Sequence, residues 1–358
     1  MGKTLRRIAM IVAPVLMAAL FAMPAAAMEF SVRALLPDNQ RQNGSAFFDL
    51  LVKPGQRQDL VVEISNTSTG DIVVLVETIT ASTSRNGQIN YTSRGDLDET
   101  LKHSFEDMVS MPQSYYEIPA QSSIEVPISL AVPDEPFEGA VLGSIRVLRE
   151  ATQEERDAAG AIVNQFAHVT AVRLVLDERA EDIAADFALG DITAELVNYR
   201  ASIIAHIRNT QPMIIKDASA TASIFPRGSD EAIFEHSQET LEMAPNSVFQ
   251  YSFVDREGYG IDAGDYTAVI DVEYNGENWH FVRDFTILPS EAAAVNDGAV
   301  NQHGQQRPAS DPAAGGLGIP LWAVIAIAVG AAVLAAVVVL IVVMAKRKPS
   351  YLPPPARN

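Results

Sequence analysis

The chain contains no cysteine. That excludes disulfide staples, thiolate metal sites and cysteine nucleophiles. Histidine is sparse: His103, His168, His206, His236, His280 and His303 are the six, and no two are spaced like the pair in H-E-x-x-H. No metal site and no cofactor is expected. There is no G-x-S-x-G elbow and no phosphate loop, so no catalytic residue is assigned. Acids scattered on outward strand faces are more often solvated than arranged as a glycosidase pair. Basic residues are in deficit, with 26 Lys and Arg against 45 Asp and Glu and a net charge of −19. Three of the 26 precede Met28 and four follow Ala345, where no acid accompanies them, so the part between is more acidic than the whole. Phosphate binding needs a basic surface, so nucleic acid is excluded as a partner.

Charge is nearly absent from two segments. Residues 1–27 read as a signal peptide: Lys3, Arg6 and Arg7, an apolar run from Ile8 to Met23, then Ala25-Ala26-Ala27 as a cleavage site. Residues 317–345 read as a transmembrane helix, because Ile319 to Ala345 carry no charge and about 20 apolar residues suffice to cross a bilayer. Lys346-Arg347-Lys348 then mark 346–358 as a cytoplasmic basic tail. The expected location is the cell membrane, single-pass, with the N-terminal part extracellular in the wall zone.

The exported part reads as strands. Leu60, Val62 and Ile64 alternate with polar residues, as do Ile124, Val126, Ile128 and Leu130. Tyr199, Ala201, Ile203, Ala205 and Ile207 alternate with Arg200, Ser202, His206 and Arg208, which puts His206 and the arginines on a solvent face. Asn275-Gly276 marks a tight hairpin. The expectation is all-β, with two immunoglobulin-like β-sandwich domains in tandem, over 28–180 and 181–290, followed by a flexible stalk at 291–316 and the membrane helix. Asp262-Ala-Gly264-Asp-Tyr266 matches the tyrosine corner of such domains, with Ala268 in the cysteine position.

Leu97, Leu101, Phe105 and Met108 recur at helical spacing, so Asp96 to Val109 is expected to be a short amphipathic helix. Asp96 and Glu99 then form a D-x-x-E cap. That reading competes with Arg94-Gly95-Asp96 as an integrin-type ligand. Gln153 to Gly160 is expected as a polar inserted loop, with helix as the alternative, and Ala161 to Leu176 as a long strand. Asn39 and Gln40 in Leu36-Pro-Asp-Asn-Gln40, and Tyr115 and Tyr116, are the candidate ligand-binding residues: amides suit sugar and peptide recognition, aromatic faces suit stacking, and each also has a plain structural use.

An ordered set of motifs resembles the WxL-interacting protein family of Gram-positive surface proteins. It comprises Phe47-Phe-Asp-Leu50, Lys53-Pro-Gly-Gln56, Asn66-Thr-Ser68, Gly87-Gln-Ile-Asn-Tyr91, Pro136-Phe-Glu-Gly139, Asn198-Tyr-Arg-Ala201, Met243-Ala-Pro-Asn-Ser247 and Ala263-Gly-Asp-Tyr266. One departure is Ser144 after Gly143, where a second glycine is common. The chain is not itself a WxL protein, since Trp279 precedes His-Phe and Trp322 precedes Ala-Val. The resemblance implies a peptidoglycan-binding first domain, a host-binding second domain, no catalysis, and assembly with a WxL-domain surface protein. The partners implied are peptidoglycan, that protein, the membrane through the C-terminal helix, and a host ligand. The function expected is a non-enzymatic, membrane-anchored scaffold in the wall; a membrane-tethered chaperone lending a sheet edge and a host adhesin stand as alternatives.

Overall fold

A computed structural model of the protein describes residues 29–300, apart from 43, 160–164, 181 and 255–259. The expected signal peptide, membrane helix and basic tail lie outside the described residues. Among the described residues no helix is long and apolar enough to cross a membrane.

Period-2 sequence becomes strand throughout. The N-terminal half runs β1 (Phe30–Leu35), β2 (Phe48–Leu51), β3 (Arg57–Asn66), β4 (Ile72–Thr80), β5 (Ser82–Thr83), β6 (Ile89–Asn90), α1 (Phe105–Met108), β7 (Val109–Ser110), β8 (Tyr115–Ile118), β9 (Ser123–Ala131), β10 (Ala140–Arg149), α2 (Gln153–Ala159) and β11 (Ala167–Val175). The C-terminal half runs β12 (Phe187–Val197), β13 (Arg200–Asn209), β14 (Ile215–Pro226), β15 (Phe234–Met243), β16 (Ser247–Val254), β17 (Gly264–Tyr274), β18 (Glu277–Ile287) and α3 (Pro289–Asp297).

In the first half, sheets of order β1-β3-β9-β7 and β2-β11-β10-β4-β8 share one buried core. Leu60, Val62 and Ile64 of β3 are fully buried there with Val126 and Ile128 of β9, each side chain stabilising the fold by about 1.5–3 kcal/mol. Phe105 of α1 is fully buried in the same core. A Cβ on Gly143 would overlap its ring, so the bare backbone of β10 is what admits it. The Ser144 hydroxyl donates to the Tyr91 carbonyl at 2.6 Å, which gives the family departure a structural use.

In the second half, sheets of order β12-β13-β16 and β15-β14-β17-β18 enclose a second core around Phe249, Tyr251 and Phe253. The Tyr266 hydroxyl donates to the Asp262 carbonyl at 2.8 Å, four residues upstream. The β17–β18 hairpin turns on Asn275 and Gly276, both at positive φ, as a two-residue turn between twisted strands requires.

Four expectations are corrected. Helix forms only at Phe105–Met108, with Ser104 rather than Asp96 as its N-cap. Residues before it spend their backbone groups elsewhere: Leu97 bridges Ser247, and Asp98 N donates to the Asn246 carbonyl at 2.7 Å. Tyr199 is 71% exposed at φ 61, because with Asn198 it forms the turn between β12 and β13 rather than starting the strand. Of the two forms open to the polar insertion, helix is the one present, at Gln153–Ala159; Gln165 and Phe166, expected in the long strand, precede β11, which begins at Ala167. The stalk does not begin at 291. Residues to Asp297 form α3, which packs Ala292 and Val295 on the second core, where Ala299 is also buried. Asn296 fixes it by accepting from Ile261 N and donating to Ile261 O, both at 2.8 Å.

Candidate functional site

The two halves meet along a seam, and the described residues, 29–300, belong to one compact unit. Backbone bonds cross it: Ala140 N to Pro212 O at 2.8 Å, Glu242 N to Gly87 O at 2.8 Å, and Val248 N to Asp96 O at 3.3 Å. Thr83 Oγ1 lies 2.6 Å from Ser247 Oγ in a buried site. Since Ser247 donates to the Ala244 carbonyl, Thr83 is the donor, and Thr83 in turn accepts from Ala244 N. Gly139 sits at φ 70, where a Cβ would overlap the Pro212 carbonyl.

A buried ion pair anchors the seam, and Arg85 and Glu195 form a second, more exposed one at 3.2 Å. Asp98, with a fully buried side chain, faces Arg208, whose side chain is 23% exposed. Burial by itself would raise the Asp98 carboxyl, but hydrogen bonds from Arg208 and Thr100 outweigh it and hold the group below the usual carboxylate range. The same bond to Asp98 raises Arg208. Glu99 adds a contact to Arg208 at 2.7 Å. Arg94 pairs with Glu106 at 2.7 Å, Gly95 lies too close to Ser82 to accept a Cβ, and Asp96 accepts from Gln250. The Arg94-Gly95-Asp96 tripeptide is thus engaged within the fold, and Asp96 and Glu99 serve the seam rather than a helix cap.

The predicted ligand residues are not gathered into one site. The Asn39 amide donates to the Leu51 carbonyl at 3.0 Å. Gln40 donates to Ser45 Oγ and the Phe47 carbonyl, and accepts from Asp49 N. Both amides are therefore spent on the loop beside β2. Tyr115 is 58% exposed on β8, at the opposite edge of the same five-stranded sheet. Four strand spacings separate these edges by roughly 19 Å. The Tyr116 hydroxyl is buried without a partner, and burial raises its pKa. Among the described residues no group of three His, Asp or Glu is placed to hold a metal.

Sequence reasoning missed the seam and the cleft it leaves, about 400 Å³, between the β9–β10 loop, the segment before α1 and the turns at Pro212 and Asn246. A signal was present. Gly87 to Tyr91, Pro136 to Gly139 and Met243 to Ser247, three of the motif segments, all contribute residues to this junction.

The model of the WxL Interacting Protein peptidoglycan binding domain matches residues 30–149. The model of the host binding domain from the same family matches residues 157–297. The second match begins before β11, which pairs with β2 and β10 in the first half. No curated protein matches the chain. Among solved structures, the chain is similar to the Pseudomonas aeruginosa CupB2 chaperone at 11% identity and a TM-score of 0.25, covering 64% of this chain and 92% of that chain. It is similar to the E. coli chaperone DraB at 14% identity and 0.25, covering 72% of this chain and 98% of that one. A third likeness is to the Salmonella enterica SafA pilin in complex with the SafB chaperone, at 11% identity and 0.27, covering 65% of this chain and 98% of that one. At these TM-scores the likenesses carry no argument about this protein.

Proposed function

This chain belongs to the WxL Interacting Protein family, and from that premise we propose that it is a non-enzymatic scaffold at the surface of a Gram-positive cell. Both halves are read as immunoglobulin-like sandwiches held outside the membrane by the apolar span at 317–345. The first half binds peptidoglycan. The second presents a surface to a WxL-domain protein in the wall zone or to a host ligand.

The observation that supports this reading best is the fusion of the two matched halves along one bonded seam. A wall contact made by the first half then fixes the position and orientation of the second, which is what a scaffold needs and a flexible tether lacks. Each half offers turns and sheet faces, so affinity comes from many weak contacts.

Sedimentation of the full-length protein with purified peptidoglycan tests the reading. The protein should enter the pellet without added metal and release no soluble wall fragments. Protein left in the supernatant at every salt concentration, and also failing to retain any WxL-domain protein, would remove the basis for a scaffold.

A further inference from the structure

The seam cleft has a chemistry of its own. Lys102 and His103 contribute from the segment before α1, Glu135, Phe137 and Glu138 from the β9–β10 loop, and Asn246 from the second half. Asn246 is 5% exposed at φ 45. Its side-chain nitrogen donates to Thr100 Oγ1 at 2.8 Å and to the Thr210 carbonyl at 3.1 Å. Both amide hydrogens are thereby used, which leaves Oδ1 as an acceptor with no donor among the described residues. Asn246 lines the open cleft, so this oxygen is available to accept from a ligand N–H. Lys102 and Glu138 are exposed and have no ion-pair partner among the described residues. The Phe137 ring, 6.1 Å from that of His103, supplies an apolar face among them.

An ammonium, two carboxylates, an aromatic face and an amide acceptor can hydrogen-bond and stack on a neutral glycan, but such a ligand leaves charges of both signs unpaired. They suit a ligand that bears both signs of charge and backbone N–H groups, which is a short peptide with a free amine and a free carboxylate. Peptidoglycan carries such groups on its stem peptides and not on its acetylated glycan strands. Resting on the wall-binding reading above, we propose that this cleft binds the stem peptide of peptidoglycan, with a carboxylate at Lys102, an amine at Glu135 and Glu138, and a peptide N–H on Asn246 Oδ1. Recognition then depends on both halves, because Asn246 and the charged rims come from opposite sides of the seam.

The test titrates the full-length protein with a soluble stem tetrapeptide containing a diamino acid, and separately with peptide-free glycan strands, beside sedimentation with whole peptidoglycan. The peptide should bind saturably and the glycan should not. Lys102→Glu and Glu138→Lys should each weaken peptide binding by about tenfold or more, with melting unchanged because both side chains are exposed. Affinity in both variants equal to that of the parent, or binding of glycan but not peptide, would overturn the proposal. If whole peptidoglycan carries the protein down while the peptide does not bind, the cleft proposal fails and the wall-binding reading stands. If the peptide binds while whole peptidoglycan does not, the cleft stands and that reading fails.

Discussion

Arg208 Nε lies 2.5 Å from Asp98 Oδ2 and its Nη2 lies 3.1 Å from Oδ1, a two-point contact between residues 110 positions apart. Asp98 comes from the first half and Arg208 from the second. A buried ion pair adds little net stability over a well-packed apolar pair, but removing one partner leaves a charge uncompensated. Its main effect here is to set one arrangement of the halves. Thr100 is drawn in too, donating to Asp98 Oδ1 through both its backbone N and its hydroxyl.

Asp98→Ala should therefore destabilise the protein by about 3 kcal/mol and separate the unfolding of the two halves. Calorimetry should show one transition in the parent and two in the variant. A single transition shifted by less than about 0.5 kcal/mol would mean the pair does not hold the seam.

The same pair predicts a pH response. The folded Asp98 carboxyl is held below its ordinary value, so its contribution is fully present above about pH 4 and is lost as pH falls through the lower folded value. Denaturation at pH 7, 4.5 and 3 should show the gap between the parent and Asp98→Asn persisting at the first two values and narrowing at the third. A gap unchanged at pH 3 would show that the carboxylate charge is not its source.

Tyr266→Phe removes the bond to the Asp262 carbonyl and should cost about 1–2 kcal/mol. Because the halves form one unit, the whole transition should move rather than that of the second half alone. Urea denaturation followed by probes in each half decides this; loss confined to the second half would argue for independent folding.

Gly143→Ala should cost about 1–3 kcal/mol, since the added methyl must displace Phe105. Combining it with Phe105→Leu should cost less than the sum of the two changes. Strict additivity in that double-mutant cycle would mean that the ring and the glycine do not constrain each other.

Binding to anionic wall polymers should strengthen with salt or divalent cations, because the chain between its two apolar segments is acidic and screening weakens its repulsion. Sedimentation across a salt series measures it. Binding that falls steeply as salt rises would reveal a cationic contact dominating the interaction.

Much of this molecule is local, and local features were legible. Leu60-Val-Val62-Glu-Ile64 alternates because one face of β3 is buried, and Asn275-Gly276 turns because both residues must accept positive φ. Asp262-Ala-Gly-Asp-Tyr266 places a hydroxyl four residues from its acceptor. Two of the misreadings arose where distant chain intervened. Leu97, Leu101, Phe105 and Met108 have a helix's period, yet Asp98 and Leu97 give their backbone groups to Asn246 and Ser247, so the helix shrinks to four residues. Ala292, Val295 and Ala299 are too few and too small to announce a helix, but they fit the space left on the second core.

The sequence by itself determined the strand content, the Asn275-Gly276 turn, the acidity and the two apolar segments, because each depends on neighbours along the chain. Tertiary structure decided that Asn39 and Tyr115 stand at opposite edges of a sheet and that Asp98 meets Arg208. It also decided that Lys102, Glu135, Glu138 and Asn246 line one cleft. Those relations follow from how two cores dock, and a period of two residues carries no record of a partner 110 positions away.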